Sequence, residues 1–169
     1  VKEKFILTAF KEFQGIARRF QAYPNICINN KNIQLVDDYG HHPTEISATI
    51  NAAREAWPNR RLVVLFQPHR YSRTRDLFDD FVRVLNEADA LILCEVYAAN
   101  EEPIVGADSP ALSRALRARG KLDPILVKDL SEIEETLEHV ILDDDILLTL
   151  GAGSIGSIAN VLNQSFATH

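Results

Sequence analysis

Cysteine, long apolar runs and positive charge are all scarce in this chain of 169 residues. Its two cysteines, Cys27 and Cys94, each lie inside an apolar run, which favours buried thiols in a reducing compartment over a disulfide. No apolar run approaches the ~18 residues of a membrane span, and the first residues lack the pattern of a signal peptide. We therefore expect a cytoplasmic protein that has no membrane partner.

The charge balance is acidic, with 18 Lys and Arg residues against 24 Asp and Glu residues and a net charge of -6. This balance argues against a general nucleic-acid partner, although local arginine clusters can still hold small anions. The hydrophobic content of 46% is close to that of average globular domains. A chain of this length can bury roughly 70% of its extended surface, so its core needs no disulfide and no metal.

The order of apolar segments predicts an α/β fold with a Rossmann-like, mostly parallel sheet and helices on both faces. Turn residues at 29–32 lie between two apolar runs and indicate a hairpin over residues 25–36, which would form an antiparallel N-terminal edge. The later strands are predicted at residues 62–66, 90–94, 125–127 and 146–150. Helices are predicted within residues 5–13, after Pro43, from Thr74 or Arg75, from Ser109, near residue 133 and from Ser154.

Polar side chains concentrate after the predicted strands, where parallel sheets bind their ligands. Residues 67–75 read QPHRYSRTR and contain three arginines and a histidine ahead of a helix. A helix N-terminus favours an anion, and arginine adds two-point contacts to a carboxylate or phosphate. Anion binding is therefore our preferred interpretation, and the alternative is a set of surface arginines paired with aspartates of the next helix.

Residues 37–43 read DDYGHHP and follow the hairpin. A metal site is the weaker interpretation, because adjacent histidines rarely bind one ion together. We prefer a polar rim in which Asp38 and Tyr39 contact a nucleotide and His41 contacts a second substrate. His42, directly before Pro43, is expected to cap the helix.

Residues 151–156 read GAGSIG and fit the pattern G-x-G-x-x-G, but this motif is weak evidence here. A dinucleotide site needs a following strand with an acidic residue about 20 positions on, and the sequence has no room for one. We expect only a tight turn and an anion-tolerant helix start. A P-loop is also absent, so anion binders occur here without machinery that activates a phosphate. This combination predicts a substrate-binding domain of a larger enzyme.

Three motifs together resemble the C-terminal domain of the Mur ligases: DDYGHHPTE at 37–45, FQPHRYSRT at 66–74 and GADS at 106–109. Within the family they are most similar to the ligases that join L-alanine to UDP-N-acetylmuramate. Residues 13–21 also resemble the junction between the central ATPase domain and the C-terminal domain. The resemblance divides the chain into residues 1–20, the end of the central domain with the junction, and residues 21–169, the domain that delivers the amino acid.

The resemblance implies an ATP-dependent ligase of cytoplasmic peptidoglycan synthesis that forms an amide bond through an acyl phosphate. Its partners would be L-alanine, UDP-N-acetylmuramate and the enzyme's own N-terminal and central domains. ATP and Mg²⁺ would be bound mainly by the central domain, so no metal ligand is expected in this chain. Two alternatives stay open: a ligase of the same superfamily that recycles murein peptides or extends folates, and an anion-binding module without catalysis.

The resemblance also assigns site residues. Tyr39, His41, Arg70 and Arg73 fall on positions associated with the amino acid and the reacting phosphate, and the last three would be catalytic. Asp38 falls where the domain approaches the nucleotide. Asp37 and His69 would support these side chains.

The first prediction is that the isolated chain folds but does not turn over ATP. A complete α/β pattern should give a cooperative melt, whereas the missing P-loop leaves no means of activating ATP. Thermal unfolding and phosphate release with added L-alanine would measure both properties. Amino-acid-dependent phosphate release by this chain alone would contradict the prediction.

Overall fold

A computed structural model describes residues 18–167, and one six-stranded sheet carries helices on both of its faces. The strands are β1 (Gln21–Ile28), β2 (Lys31–Asp38), β3 (Leu62–Phe66), β4 (Ala90–Cys94), β5 (Ile125–Val127) and β6 (Ile146–Leu150). The helices are α1 (Pro43–Ala56), α2 (Tyr71–Asp76), α3 (Phe78–Leu85), α4 (Ser109–Ala118), α5 (Ile133–Val140) and α6 (Ile158–Phe166). Short 3₁₀ turns at Leu130–Glu132 and Ser154–Ser157 precede α5 and α6.

The strand order is β1-β2-β6-β3-β4-β5. β1 pairs with β2 in antiparallel fashion, and every other pair is parallel. This confirms the predicted mostly parallel sheet with an antiparallel N-terminal edge. Asp38 and Phe66 both pair with Leu150, so β2, β6 and β3 end at one level. The loops after β2, β3, β4 and β6 therefore open on a single edge, which we call the carboxyl edge.

The core has two halves, one on each side of the sheet. β3 is buried at every position, and its alternate side chains serve opposite halves. Leu62, Val64 and Phe66 pack with α1, α3 and α4, whereas Val63 and Leu65 pack with α5 and α6. Burial on both faces explains why the central strands read as continuous apolar runs rather than as alternating patterns.

Two helices begin elsewhere than predicted. α2 begins at Tyr71, before the predicted start at Thr74 or Arg75, so Arg73 lies in a helix and not in a loop. Residues 154–157 form a 3₁₀ turn, and the final α-helix begins at Ile158 instead of Ser154. The first difference arises because the Thr74 backbone N–H and side-chain hydroxyl both bind the Arg70 carbonyl, which closes a helical turn early.

The helix predicted within residues 5–13 and most of the predicted junction lie outside the described residues. Within residues 18–167, no helix has the length and apolar character needed to span a membrane. The domain boundary at residue 20 stays a prediction.

The two cysteines differ in burial, which corrects the expectation that both are buried. Cys94, in the core strand β4, is 1% exposed, and burial raises the pKa of its thiol to about 12. Cys27 lies on the edge strand β1 and is only partly buried. An edge strand has one neighbour and leaves part of its outer face to water, so burial of Cys27 does not follow from an apolar run alone.

We predict that Cys27 reacts with a thiol reagent in the native fold and that Cys94 does not. The thiolate is the reactive form, and a pKa of about 12 leaves almost none of it at Cys94 at neutral pH. Mass spectrometry after timed labelling at pH 8 would separate the sites, with Cys27→Ser as the control that removes the fast reaction. Equal labelling rates at both sites would contradict the prediction.

Candidate active site

A buried ion pair lies beneath the carboxyl edge. Asp37, at the end of β2, is 1% exposed, and its carboxylate accepts hydrogen bonds from Arg18 Nε (2.9 Å) and Thr149 Oγ1 (2.6 Å). Arg18 Nη2 also donates to the Gly151 carbonyl (2.6 Å), and the guanidinium lies 5.3 Å from the centre of the Tyr39 ring. Arg18 thereby joins the end of β2 to the glycine loop after β6.

The next carboxylate, Asp38, holds the turn after β2. Its Oδ1 accepts from the Gly40 N–H and its Oδ2 accepts from the Phe20 N–H, both at 2.7 Å. A Cβ atom at Gly40 would lie 2.8 Å from Asp38 Oδ1, so this close approach requires glycine. An open pocket adjoins the turn and is lined by Arg19, Phe20, Asp38, Tyr39, Gly40 and the first turns of α1. The structure therefore places Asp38 and Tyr39 at one pocket.

His41 lies at the carboxyl edge, with its ring beside that of Tyr39. Its Nδ1 lies 3.0 Å from the Tyr39 carbonyl oxygen and 3.5 Å from Glu45 Oε2, so in the neutral ring Nδ1 carries the proton and Nε2 is left as an acceptor. Glu45 also accepts from the His41 and His42 backbone N–H groups, both at 3.0 Å. Burial acts to raise the pKa of Glu45, but these hydrogen bonds lower it below its usual range. His42 is the N-cap residue of α1.

His69 takes the opposite tautomer. Arg73 Nη1 lies 3.1 Å from both His69 Nδ1 and the His69 carbonyl oxygen, and because arginine can only donate, Nδ1 is an acceptor and the proton is on Nε2. Burial, and then the positive charges of Arg73 and Arg70, lower the pKa of His69. The His69 ring stacks on Tyr97 at a centroid distance of 5.4 Å and faces His41 at 5.7 Å.

Arg70 lies directly before α2 with a φ of 73°, an unusual value for a residue other than glycine. Its N–H donates to the Tyr97 carbonyl (2.8 Å), and its carbonyl accepts from Thr74. The guanidinium Nη1 lies 3.8 Å from Glu101 Oε1. The Arg70 side chain is about half exposed at 49%, so it is available to a ligand at the edge.

The glycine loop after β6 is held by a buried amide. Gln67 is 5% exposed; its Oε1 accepts from the Ile155 N–H (2.9 Å), and its Nε2 donates to Ser154 Oγ (3.1 Å). A Cβ atom at Gly153 would lie 2.6 Å from the Tyr97 ring and 2.7 Å from Gln67 Oε1. Glycine is thus required at position 153 for close packing against the neighbouring loops. This packing explains the G-x-G-x-x-G pattern without a bound dinucleotide.

The structure brings the predicted residues together on two sides of the carboxyl edge. Asp38 and Tyr39 lie on the α1 side. Arg70 lies directly before α2 and Arg73 lies on it, and the rings of His41 and His69 face each other between the two sides. Among residues 18–167, no three His, Cys, Asp or Glu side chains form a group that could hold a metal ion. The chemistry available here is anion binding by arginine and proton transfer by histidine.

Comparison with known proteins agrees with this arrangement. The sequence profile of the family described as "Mur ligase, glutamate ligase domain" matches residues 18–153. The chain belongs to the Mur ligase family. Members of this family are ATP-dependent ligases.

Solved structures extend this likeness over nearly the whole chain. The UDP-N-acetylmuramate-alanine ligase from Thermotoga maritima is 27% identical with a TM-score of 0.72, over 98% of this chain and 33% of that chain. A murein peptide ligase from Psychrobacter arcticus is 18% identical (TM-score 0.64, 94% and 32%). Folylpolyglutamate synthase from Thermotoga maritima is 15% identical (TM-score 0.66, 99% and 35%). The chain therefore spans about a third of the length of each of these proteins.

Four residues at the carboxyl edge were not predicted as site residues from the sequence: Arg18, Gln67, Tyr97 and Glu101. Each acts through a partner that is distant in sequence, so local spacing carries no signal for it. Only Gln67 carries a sequence signal of this kind, because it is a polar residue that directly follows a fully apolar strand.

We predict that the pKa of His69 rises toward its usual value in Arg73→Ala. The variant removes a positive charge that disfavours the imidazolium, and it frees Nδ1 to accept a proton. Because His69 stays partly buried in the variant, its pKa should return only part of the way to its usual value. An NMR titration of the imidazole Cε1–H signals would measure the pKa, and Arg75→Ala, which removes an exposed arginine paired with Asp76, is the control. An unchanged His69 pKa in Arg73→Ala would contradict the tautomer assignment.

Proposed function

We propose that this chain is the C-terminal, amino-acid-delivering domain of a ligase that adds L-alanine to UDP-N-acetylmuramate in cytoplasmic peptidoglycan synthesis. The observation that carries the proposal is the placement of Arg70, Arg73 and His41 on one edge of the sheet, next to the pocket at Asp38. The 27% identity to the alanine ligase from Thermotoga maritima supports this choice of substrate.

The proposal assigns residues 1–20 to the end of a central ATPase domain and the junction, and residues 21–169 to the C-terminal domain. The UDP sugar, most of ATP and the magnesium ion belong to the N-terminal and central domains. Residues 18–167 contain no cluster of metal ligands of their own.

The reaction begins when the muramate carboxylate attacks the γ-phosphate of ATP, which forms an acyl phosphate and releases ADP. The amino group of L-alanine then attacks the acyl carbon, and the tetrahedral intermediate expels phosphate to leave the amide. Arg70 and Arg73 bind the alanine carboxylate and the reacting phosphoryl group. Fixed positive charge stabilises the negative intermediate without reorganisation, and Arg70 is already held at its backbone from two sides.

The attacking amine must lose a proton, and His41 is suited to accept it. Its Nδ1–H is directed at the Tyr39 carbonyl, which leaves Nε2 as the basic atom. His69 presents an Nε2–H instead, so it can donate to a carboxylate or phosphoryl oxygen but cannot act as the base in this tautomer. Tyr39 contacts the amino acid from the side of the nucleotide pocket.

On the other side of Tyr39, the proposal places the nucleotide near Asp38. Both Asp38 oxygens already accept a backbone N–H, and each keeps a lone pair for a ribose hydroxyl. Arg19 lines the same pocket and supplies a positive charge for a phosphate. This chain thus completes a nucleotide site whose main part lies in another domain.

A murein-recycling ligase is the second candidate, since a murein peptide ligase shares the fold over 94% of this chain. The two candidates differ in what they join to UDP-N-acetylmuramate, either L-alanine or a preformed peptide. Phosphate release by the full-length protein with UDP-N-acetylmuramate and ATP, with either L-alanine or the tripeptide L-alanyl-γ-D-glutamyl-diaminopimelate, would separate them. Turnover with L-alanine alone is the expected result, whereas turnover with neither would favour a non-catalytic module.

We predict that Arg73→Ala in the full-length protein lowers the ligation rate or the affinity for L-alanine about tenfold to a hundredfold. This range corresponds to the loss of a charge-assisted contact of about 1.5–3 kcal/mol. Steady-state kinetics with varied L-alanine and ATP would measure the effect. Arg73→Lys should restore only part of the activity, because an ammonium keeps the charge but cannot make a two-point contact.

Arg75→Ala is the matched control for this experiment, since Arg75 lies on the same helix and pairs with Asp76 at the exposed surface. It should leave the kinetics unchanged. Stability should change by no more than about 1 kcal/mol in Arg73→Ala, the scale of one partly exposed hydrogen bond. Unchanged kinetics in Arg73→Ala would leave the anion site to Arg70 alone.

A further inference from the structure

The loop of residues 95–108, between β4 and α4, directs one carboxylate toward α2. Two consecutive non-glycine residues, Ala99 and Asn100, have φ values of 49° and 67°, and the Glu101 N–H closes the turn on the Ala98 carbonyl (3.0 Å). Such left-handed backbone is uncommon for residues with a side chain and persists where the surrounding structure holds it. The turn brings Glu101 against the residues that follow β3.

Both oxygens of Glu101 are engaged there. Oε2 accepts from the Ser72 N–H (2.9 Å), and Oε1 accepts from the Ser72 hydroxyl (2.6 Å). These hydrogen bonds lower the pKa of Glu101, so the side chain stays anionic at neutral pH. Only 24% of the side chain is exposed.

The same carboxylate lies beside Arg70, with 3.8 Å between Glu101 Oε1 and Arg70 Nη1. In the part of the chain that the structure describes, this is the one acidic side chain within 4 Å of the Arg70 guanidinium. Arg73, one turn further along α2, is directed instead at His69. Glu101 therefore presents a negative charge to the Arg70 guanidinium, at a distance longer than a direct hydrogen bond.

We propose that Glu101 is a positioning residue that holds Arg70 ready for the carboxylate of the incoming amino acid, an inference that rests on the proposed function. A held guanidinium loses less side-chain freedom when it binds than a free one does. A structural role limited to Ser72 would need only a side chain that can bond to both the N–H and the hydroxyl of Ser72, which an uncharged amide can do. A positioning role needs the negative charge as well.

The variant Glu101→Gln separates these roles and removes the charge that faces Arg70. The amide oxygen of glutamine can accept from the Ser72 N–H, and its amide N–H can donate to the Ser72 hydroxyl oxygen. In the full-length protein we expect the KM for L-alanine to rise about fivefold to tenfold, the effect of losing one partly exposed charge pair and its orientation. The kcat should change less than twofold, and the KM for ATP and the melting temperature should stay unchanged. Glu102→Gln, at the exposed neighbouring position, is the matched control and should leave all four values unchanged.

The same substitution made in an Arg70→Ala variant tests whether Glu101 acts through Arg70. In Arg70→Ala, adding Glu101→Gln should change the KM for L-alanine less than twofold further, because the group being held is gone. A KM increase that persists in this background would overturn the inference. So would an unchanged KM in the single variant, or a lower one, which would show that Glu101 competes with the substrate for Arg70.

Two further outcomes can be told apart from a failure of the inference itself: a failure of the proposed function, and a Glu101→Gln variant that does not fold. If Arg70→Ala itself leaves the KM and kcat for L-alanine unchanged, the proposed function of the edge fails, whatever Glu101 does. If Glu101→Gln does not fold, Glu101→Asp keeps the charge on a shorter side chain and should raise the KM for L-alanine by a smaller factor. An unchanged KM in a folded Glu101→Asp would then overturn the inference.

Discussion

The carboxyl edge is built around the buried carboxylate of Asp37. At 1% exposure it has lost nearly all its water, and the Arg18 guanidinium and the Thr149 hydroxyl replace that solvation. Removing Arg18 would leave this charge unpaired, which costs about 3–5 kcal/mol in comparable buried pairs. The same guanidinium donates to the Gly151 carbonyl and lies beside the Tyr39 ring, so the ion pair fixes two loops as well as itself.

Above this ion pair, side chains of one loop are held largely by backbone groups of another loop. Gln67 accepts from the Ile155 N–H, and Glu101 accepts from the Ser72 N–H. The Tyr97 backbone joins the loops after β3 and β4 by bonding to Arg70 and Pro68. These contacts hold the loops while the Arg70 guanidinium and the Nε2 atoms of His41 and His69 keep the capacity to bond to a ligand.

Much of the architecture could be predicted because it depends on local patterns. Residues 62–66, 90–94, 125–127 and 146–150 are strands as predicted, and the common edge of their loops follows from parallel pairing. The predicted start of α2 was wrong. Arg70, with its positive φ, comes directly before the helix, and its N–H bonds to the Tyr97 carbonyl, a partner that local patterns do not reveal. Glu101 was missed for a similar reason: its partner Ser72 is 29 residues away. The roles of Tyr39, His41, Arg70 and Arg73 stay predictions, although the structure places all four at one edge.

The row of rings along this edge gives the two sides different chemistry. Tyr39, His41, His69 and Tyr97 follow one another at centroid distances of 5.2, 5.7 and 5.4 Å. Asp38 lies on one side of this row, whereas Arg70 and Arg73 lie toward the other. For a domain proposed to contribute to both a nucleotide site and an amino-acid site, such a row separates the Asp38 carboxylate from Arg70 and Arg73. The opposite tautomers of the two histidines then follow from their neighbours, because a carbonyl fixes the proton of one ring and an arginine excludes it from the same atom of the other.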